Sequence, residues 1–165
     1  TATTGKVSAA LVARFAAGGY VGRASGRAYD ARKAHPFPPY DSLAFETPVL
    51  SAGDVDARVR IRVFEIRQSL KLLRQIILGL PGGGQHVDAP SVSEVREGAA
   101  IVEGFRGDIF ASVRLSPDQT IERCHMRDPS WFQWPLLEAA IEGNIIADFP
   151  LCNKSFNCSY SGHDL

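Results

Sequence analysis

The clearest periodic pattern of apolar residues runs from about Asp54 to Leu80. Apolar side chains recur there at steps of three and four positions, a spacing that places them along one side of an α-helix. Asp54 or Ser51 is a suitable N-cap, and Pro81 ends the pattern. The apolar positions are Val55, Val59, Val63, Ile66, Leu70, Leu73, Ile77 and Leu80, and Ile61, Phe64, Leu72, Ile76 and Leu78 widen the stripe. We predict a helix of about seven turns with one face against a core, central in the fold or covered by another subunit.

A basic stripe accompanies the apolar one along the same segment. Arg60, Arg67, Lys71 and Arg74 also recur at helical spacing. Cationic side chains on a helix most often extend into water, so a solvated basic face is the simplest interpretation.

Shorter and less regular elements are predicted on either side of this helix. Alanine-rich composition over residues 7–17 favours a short helix that ends at Gly18-Gly19. Residues 20–48 contain closely spaced prolines, which lack a backbone donor, so this stretch is predicted to be irregular. Its aromatic residues indicate that it packs on a surface. The glycine-rich stretch 81–94 is predicted to be a loop.

Three strands followed by two helices complete the pattern. The strands are predicted in the segments GAAIVEG, DIFASVRL and QTIERCHM, with turns at Arg106-Gly107 and at SPDQ. Asp128 or Ser130 can cap an amphipathic helix that continues to about Glu142, and another short helix is expected around Asp148. The sequence therefore predicts a mainly helical α+β fold with a long central helix and a small three-stranded antiparallel meander.

Composition and charge narrow the class of protein. The chain has 165 residues, 45% of them hydrophobic, and 18 basic against 18 acidic residues. This balance is ordinary for one globular domain and gives no basic surface of the kind that nucleic-acid binding needs. Three cysteines are too few for a secreted disulfide framework, which favours a reducing, cytoplasmic setting. No apolar run is long enough to span a membrane. Because the chain begins without methionine, we expect it to be a fragment.

The C-terminal tail contains residue types that could bind a metal. Cys152, Cys158 and His163 follow one another closely, with Asp164 or Cys124 available as a fourth ligand. Structural zinc sites usually pair their ligands at shorter spacing, so two packed thiols are the simpler interpretation and a zinc site is an alternative. The other sequence signatures of hydrolases, zincins and dinucleotide-binding domains are absent from the chain.

The predicted turn in VEGFRGDI offers a candidate for chemistry. Glycines at positions 104 and 107 flank it, so the backbone can approach whatever the Arg106 guanidinium contacts. Glu103 precedes Arg106 in the same motif and is a second candidate. An arginine in a hairpin turn is nevertheless most often solvated.

Several motifs, taken in order, resemble the C-terminal half of the nickel-iron hydrogenase large-subunit superfamily. They are GRASGRAYDARKAHPFPPYD, FEIRQSLKLLRQIILGLP, VEGFRGDI, RCHMRDPSWFQWPLLEAAIEGNIIADFPL and NKSFNCSYSGHDL. The branches most similar to them are the formate-hydrogenlyase-type large subunit and the quinone-site subunit of respiratory complex I. The resemblance extends from about Gly22 to Leu165 and implies that residues 1–165 are the C-terminal portion of such a subunit, with its N-terminal half absent.

The resemblance also implies that a nickel site has been lost. Hydrogenases of this family hold nickel with two Cys-x-x-Cys pairs, the second near the C-terminus. Aligned with that motif, the ligand positions are occupied by Ser159 and Gly162. Cys152 and Cys158 lie nearby but out of register. We therefore expect no nickel-iron centre and no other cofactor in this chain.

Other site residues are implied by the same resemblance. Hydrogenases place an arginine of a Glu-x-x-Arg-Gly turn at the metal site, and complex I members tend to have lysine there. Glu103 and Arg106 match that motif and are the predicted catalytic residues. Asp30, Arg32 and His35 match a Tyr-Asp-x-Arg-Lys-x-His-Pro stretch, which by analogy lies near the small subunit and is predicted to bind a cofactor.

The implied setting is a membrane-associated oxidoreductase complex. The expected partners are an iron-sulfur small subunit, which carries the cluster, the missing N-terminal half, and membrane subunits at the inner face of the membrane. The parent protein would transfer electrons and protons, whereas the isolated fragment would be inactive and could form a homodimer through exposed apolar surface. The alternative is a structural or assembly module with the same fold and no redox role.

Overall fold

The computed structural model of the chain describes residues 1–84, 86, 88 and 94–164. The described part contains seven α-helices, one 3-10 turn and one three-stranded sheet. In chain order they are α1 (Ala9–Arg14), α2 (Gly19–Ala24), α3 (Ala31–Ala34), α4 (Val55–Leu78), β1 (Arg96–Gly104), β2 (Gly107–Leu115), β3 (Ile121–Arg127), α5 (Ser130–Ile141), the 3-10 turn (Ile146–Asp148), α6 (Phe149–Phe156) and α7 (Tyr160–His163). The predicted loop 81–94 lies partly outside the described residues.

The long helix α4 confirms the strongest prediction from the sequence. Its N-cap is Asp54, whose Oδ1 accepts a hydrogen bond from the backbone N–H of Ala57 at 2.9 Å. The helix spans 24 residues and ends at Gly79, whose N–H donates to carbonyls of the last turn. Asp54 therefore fills the capping role for which the sequence left Ser51 as an alternative.

The predicted apolar stripe of α4 does not face the core of this chain. The core contains Ile61, 0% exposed, from the opposite side of the helix, and Leu72 is also buried. The stripe positions from Val59 to Ile77 are instead 43% to 65% exposed. The described part of this chain therefore leaves these positions uncovered, and the predicted alternative, a helix covered by another subunit, stays a prediction. Helical spacing shows which residues share a side of a helix but not what covers that side.

The main core is formed by α1, α2, α5 and α6 around the first half of α4. Its largest buried apolar side chains include Tyr20, Ile61, Leu136 and Phe156. Val12 and Val21 are fully buried members of the same cluster. Most of this core comes from the two ends of the chain, so the N-terminal helices depend on the C-terminal ones for their stability.

The sheet has the predicted topology. Strands β1, β2 and β3 are antiparallel neighbours in chain order, and β1 turns into β2 where Gly104 pairs with Gly107. Gly107 has φ of 136°, a conformation that favours glycine. The pairing of β2 with β3 shifts its register between Arg114 and Leu115. The antiparallel meander predicted from alternating residues is confirmed.

The segment predicted to be irregular contains two short helices, α2 and α3. A Cβ on Gly19 would overlap the carbonyl group of Arg106, so glycine is required where α2 meets the β1–β2 turn. Asp30 caps α3 by accepting from the N–H of Arg32 at 3.0 Å. Tertiary contacts of this kind stabilise helices too short to show periodicity. The rest of the segment 20–48 packs on α4. There the Gln75 side-chain amide accepts a hydrogen bond from the N–H of Ala44 at 2.9 Å and donates one to its carbonyl at 2.8 Å.

The C-terminal helices also agree with the predicted pattern. Asp128 Oδ1 accepts from the N–H of Ser130 at 2.8 Å at the start of α5. Helix α6 ends at Asn157, which adopts a left-handed conformation with φ of 50°. Within the described residues, no helix combines the length and the apolar character that crossing a membrane requires.

Candidate functional site

A cluster of charged side chains around Arg23 lies between α2, α4 and the sheet. Arg23 is 2% exposed. Its Nε donates to Oε1 of Glu65 at 2.7 Å, and its Nη1 donates to Oε1 of Glu103 at 2.9 Å. Oε2 of Glu103 accepts from the backbone N–H of Ala31 at 2.9 Å. One guanidinium thus connects the long helix to the end of β1.

Asp30 and Arg32 extend the cluster. Asp30 lies 3.9 Å from Nη1 of Arg23 and accepts from Nε and Nη2 of Arg32 at 2.9 and 2.6 Å. The cluster therefore joins the carboxyl groups of Asp30, Glu65 and Glu103 to the guanidinium groups of Arg23 and Arg32. With every group ionised, three negative charges against two positive ones leave one excess negative charge.

Burial and the charged partners together set the pKa of each carboxyl group. Burial raises the pKa of Glu65 and of Glu103, and it does so against the attraction of Arg23, which lowers both. Asp30 behaves differently, because hydrogen bonds and charge attraction from Arg32 hold its pKa below the ordinary value despite burial. An excess negative charge and two carboxyl groups with raised pKa form a site that can take up and release a proton.

A cavity of about 360 Å³ borders this cluster. Glu65, Glu103 and Arg32 line it, together with Arg62 and Phe105. The remaining lining residues are Ile66, Ser69, Leu70 and Gly104. Both carboxyl groups with raised pKa therefore reach a space that could admit water or a small molecule.

A second set of side chains fixes the end of α6. The last carbonyls of a helix have no partner within it. Arg62 Nη2 donates to the carbonyl of Ser155 at 2.5 Å, the Tyr20 hydroxyl donates to that of Phe156, and Arg106 Nε donates to that of Asn157. These donors come from α4, α2 and the β1–β2 turn. Three elements thus hold the backbone immediately before Cys158.

The structure brings some of the predicted site residues together and separates others. Glu103, Asp30 and Arg32 lie in one cluster. Arg106 points away from it, towards Asn157, and its carbonyl accepts from Nε2 of Gln133 at 2.6 Å. His35 is exposed and lies beside a separate shallow cavity with Ala99, Ala100, Ile101 and Phe110. The roles predicted for these residues remain predictions.

The tail cysteines are packed in the interior. Cys152 and Cys158 are 0% and 8% exposed, whereas Cys124 is exposed on β3. Burial raises the pKa of Cys152, and it raises that of Cys158 to about 11, so both are thiols at neutral pH. In residues 1–84, 86, 88 and 94–164, no group of three or more His, Cys, Asp or Glu side chains could hold a metal ion. The zinc alternative therefore has no support from the described structure.

The positions aligned with nickel ligands do not fit that metal. Ser159 is the N-cap of α7, and its hydroxyl accepts from the N–H of Gly162 at 3.0 Å. A Cβ on Gly162 would lie 2.7 Å from Cγ of Asp128, so the Asp128 side chain fills the space that a cysteine there would need. The two positions offer one hydroxyl and no thiolate.

Replacing Gly162 with alanine is expected to lower the free energy of unfolding by about 1–3 kcal/mol, because the new methyl group would displace Asp128 from the start of α5. Urea unfolding followed by circular dichroism measures this. Gly82→Ala is the matched control, since a Cβ there would meet no heavy atom within 4 Å. Equal stability of the two variants would show that Asp128 does not fill this space.

Sequence reasoning missed the residues that tie the site together, namely Arg23, Glu65, Tyr20 and Arg62. Two of them left a signal. Arg23 is the charged residue in the otherwise small and apolar segment GYVGRA, and Glu65 is an isolated acid among the basic residues of α4. A charge in such a setting indicates a buried partner.

The fold and the cluster define an α+β subunit in which a buried acid–base cluster adjoins a long helix and a small sheet. The family model for the 49 Kd subunit of respiratory-chain NADH dehydrogenase matches residues 1–100. The chain belongs to this family.

Several relatives match along most of the chain. The carbon monoxide-induced hydrogenase of Rhodospirillum rubrum is 32% identical over 93% of this chain and 42% of its own length. An NADH-quinone oxidoreductase subunit of Syntrophobacter fumaroxidans is 38% identical over 76% of this chain and 35% of its own length. Formate hydrogenlyase subunit 5 of Escherichia coli is 29% identical over 99% of this chain and 29% of its own length.

A solved structure confirms the fold class. A chain of the membrane-bound sulfane sulfur reductase, an archaeal respiratory membrane complex, superposes with a TM-score of 0.89 at 32% identity. The match covers 98% of this chain and 46% of that chain. The chain thus spans less than half the length of the relatives it matches here, and the resemblance seen in the sequence motifs is confirmed.

Proposed function

We propose that the chain is part of a subunit of a membrane-associated oxidoreductase complex, of the kind found in hydrogenases and NADH-quinone oxidoreductases. The observation that carries this proposal is the cluster around Arg23, in which Glu65 and Glu103 border a cavity and have raised pKa values. Electron transfer to or from a quinone, or to hydrogen, is coupled to protons. A buried carboxyl pair with one excess negative charge provides a group that can exchange them.

Family membership supports the setting. The relatives include subunits of a hydrogenase, a quinone oxidoreductase and a respiratory membrane complex. By analogy we propose that an iron-sulfur subunit and membrane subunits are partners of this chain, and that it lies at the cytoplasmic side of the membrane without spanning it. We further propose that it holds no cofactor of its own.

The proposed chemistry does not use nickel. Ser159 and Gly162 supply no thiolate, and Asp128 fills the space beside Gly162. Cys152 and Cys158 are buried, and burial raises the pKa of both thiols. We therefore propose that this chain acts through its carboxyl groups, as a proton-handling part of a complex whose redox groups lie elsewhere.

The test uses the intact complex from the native host. The protein would be tagged in the genome, the complex purified from membranes with detergent, and electron transfer from reduced methyl viologen to a water-soluble quinone measured. Glu103→Gln is expected to lower the rate by at least about tenfold, because it removes the exchangeable proton while keeping the shape of the side chain. Glu97→Gln, on the exposed part of β1, is the control and should keep the rate.

Two results would contradict the proposal. A Glu103→Gln complex with the wild-type rate would remove the proton-transfer role and favour the alternative, a structural module of the same fold. Recovery of the tagged protein without an iron-sulfur protein or membrane proteins would remove the proposed setting. Electron paramagnetic resonance of the purified complex detects the iron-sulfur cluster.

A further inference from the structure

The carboxyl groups of the cluster around Arg23 differ in how their oxygens are occupied. Both oxygens of Asp30 accept hydrogen bonds from the Arg32 side chain, at 2.9 and 2.6 Å. Both oxygens of Glu103 also accept, Oε1 from Nη1 of Arg23 and Oε2 from the backbone N–H of Ala31, each at 2.9 Å. Hydrogen bonds from N–H donors stabilise the charged form of a carboxyl group. These contacts therefore favour the carboxylate form of Asp30 and of Glu103.

Glu65 is bound through one of its oxygens. Its Oε1 accepts from both Nε and Nη2 of Arg23, at 2.7 and 2.5 Å. Among the residues that the structure describes, none donates a hydrogen bond to Oε2 of Glu65. A protonated carboxyl group is a donor through one oxygen and keeps its capacity to accept through the other. A proton on Oε2 would therefore leave both hydrogen bonds from Arg23 in place.

Glu65 is also the most accessible of the three carboxyl groups. Its side chain is 18% exposed, whereas those of Glu103 and Asp30 are 4% and 2% exposed. It lines the cavity of about 360 Å³ described above. Because it combines an unoccupied oxygen with the largest exposed fraction, Glu65 is the carboxyl group that can exchange a proton with the cavity directly.

Charged groups of four elements surround Glu65. They are Arg23 on α2, Asp30 and Arg32 at α3, Glu103 on β1 and Arg62 on α4. Burial is the largest influence on the pKa of Glu65 and raises it, the two arginines Arg23 and Arg32 lower it, and Asp30 raises it. Burial raises the pKa of Glu103 as well. The hydrogen bonds, and not the direction of the pKa shift, therefore distinguish the two glutamates.

We propose that Glu65 carries the exchangeable proton of the cluster on Oε2, and that Glu103 is a positioning residue that holds Arg23 against Oε1. In uptake, a hydronium ion in the cavity gives its proton to Oε2, an O–H bond forms, and water remains. Release reverses this step, and no electron moves within the cluster. This inference deepens the proposed function and rests on it.

The excess negative charge explains why both glutamates matter. With Glu65 and Glu103 both ionised, the cluster has three negative and two positive charges, so one proton restores neutrality. Glu103→Gln removes the excess charge and leaves Glu65 as the ionised partner of Arg23. The exchangeable proton is then lost although its carrier is still present.

The test locates the proton in the complex purified from the native host. Infrared difference spectra between neutral and acid pH detect the carbonyl stretch of a carboxyl group that takes up a proton, and the frequency of this band depends on the group's surroundings. Glu65→Asp and Glu103→Asp both keep the charge and shorten the side chain. Glu65→Asp is expected to shift the band and Glu65→Gln to abolish it, whereas Glu103→Asp should leave its frequency unchanged.

The rate of electron transfer from reduced methyl viologen to the quinone is a second readout. Glu65→Gln is expected to lower it by at least about tenfold, because the carrier of the proton is lost. Glu97→Asp, on the exposed part of β1, is the control and should keep both the band and the rate. Gel filtration checks that each variant complex is assembled.

Two spectroscopic results would overturn this inference and leave the proposed function in place. A band that shifts in Glu103→Asp and stays in Glu65→Asp would put the proton on Glu103. A spectrum that Glu65→Gln leaves unchanged would show that Glu65 stays ionised, as it would if a donor from the rest of the subunit bound Oε2. A wild-type rate in Glu103→Gln would instead contradict the proposed function, and this inference with it.

Discussion

Replacing Arg23 with methionine is expected to lower the free energy of unfolding by about 3–5 kcal/mol, because the change leaves buried carboxylates without their cation. Arg23 contacts Glu65, Glu103 and Asp30 and is 2% exposed, so its loss leaves Glu65 and Glu103 without their paired cation. Urea unfolding at neutral pH, followed by circular dichroism, measures the effect. A loss of this size is a large part of the stability of an ordinary domain.

Arg60→Met is the matched control, because it removes the same group from an exposed position of α4. The Arg60 side chain is 66% exposed and makes a surface pair with Asp56, so its loss should cost at most about 1 kcal/mol. If Arg23→Met and Arg60→Met cost the same, the cluster around Arg23 does not stabilise the fold.

The free energy of unfolding depends on pH with a defined sign. Burial raises the pKa of Glu65 and Glu103, so the folded protein keeps their protons to higher pH than the unfolded chain does. Their contribution to stability is therefore complete below the ordinary value of 4.5 and is lost as pH rises through the raised values. Asp30 acts in the opposite direction, below its ordinary value of 3.8. The cost of Arg23→Met should consequently be smaller at acid pH than at neutral pH, because protonated Glu65 and Glu103 no longer need a cation beside them.

Arg58→Ala is expected to cost about 3–5 kcal/mol for a different reason, because three acceptors lose their donors at once. Arg58 is 0% exposed and donates to Ser155 Oγ at 2.9 Å and to the carbonyls of Gly53 and Gly5, both at 2.8 Å. Its guanidinium also lies 4.4 Å from the Phe156 ring. Burial lowers its pKa to about 10, yet it stays charged at neutral pH.

Thermal and urea unfolding of Arg58→Ala, compared with Arg67→Ala, measure this contribution. Arg67 is exposed on the same helix and should be within about 0.5 kcal/mol of wild type. Arg58→Lys should recover part of the loss, because one ammonium group cannot reach all three acceptors. A cost of Arg58→Ala below about 1 kcal/mol would mean that α6 is held to the N-terminal segment by other contacts.

Long, strongly patterned elements could be predicted from the sequence, whereas the short helices α2 and α3 could not. α4 and the three strands each repeat a local preference over many residues, so their signals add up. α2 and α3 are stabilised by contacts distant in the chain, such as the approach of Gly19 to Arg106 and the cap of Asp30. No local pattern encodes such a contact.

The residues of the candidate site could likewise be predicted from the sequence only in part. Glu103, Asp30 and Arg32 were identified through motifs, and the structure places them in one cluster. The group that unites them, Arg23, is distant in sequence from Glu65 and Glu103, so its partners follow only from the fold. Arg106 was predicted beside Glu103 because both belong to the same turn motif, yet Arg106 donates to the carbonyl of Asn157 whereas Glu103 accepts from Arg23.

The contact between Gly19 and the β1–β2 turn affects how the site can move. The three atoms nearest to a Cβ on Gly19 would be main-chain atoms of Arg106 and Gly107, so a side-chain rotation alone would not relieve a closer approach of the sheet to Gly19. Arg23 lies one helical turn beyond Gly19, and Glu103 lies just before the turn. Any shift of the sheet must therefore carry both residues together. The separation between guanidinium and carboxylate would stay constant while the cavity beside them changes shape.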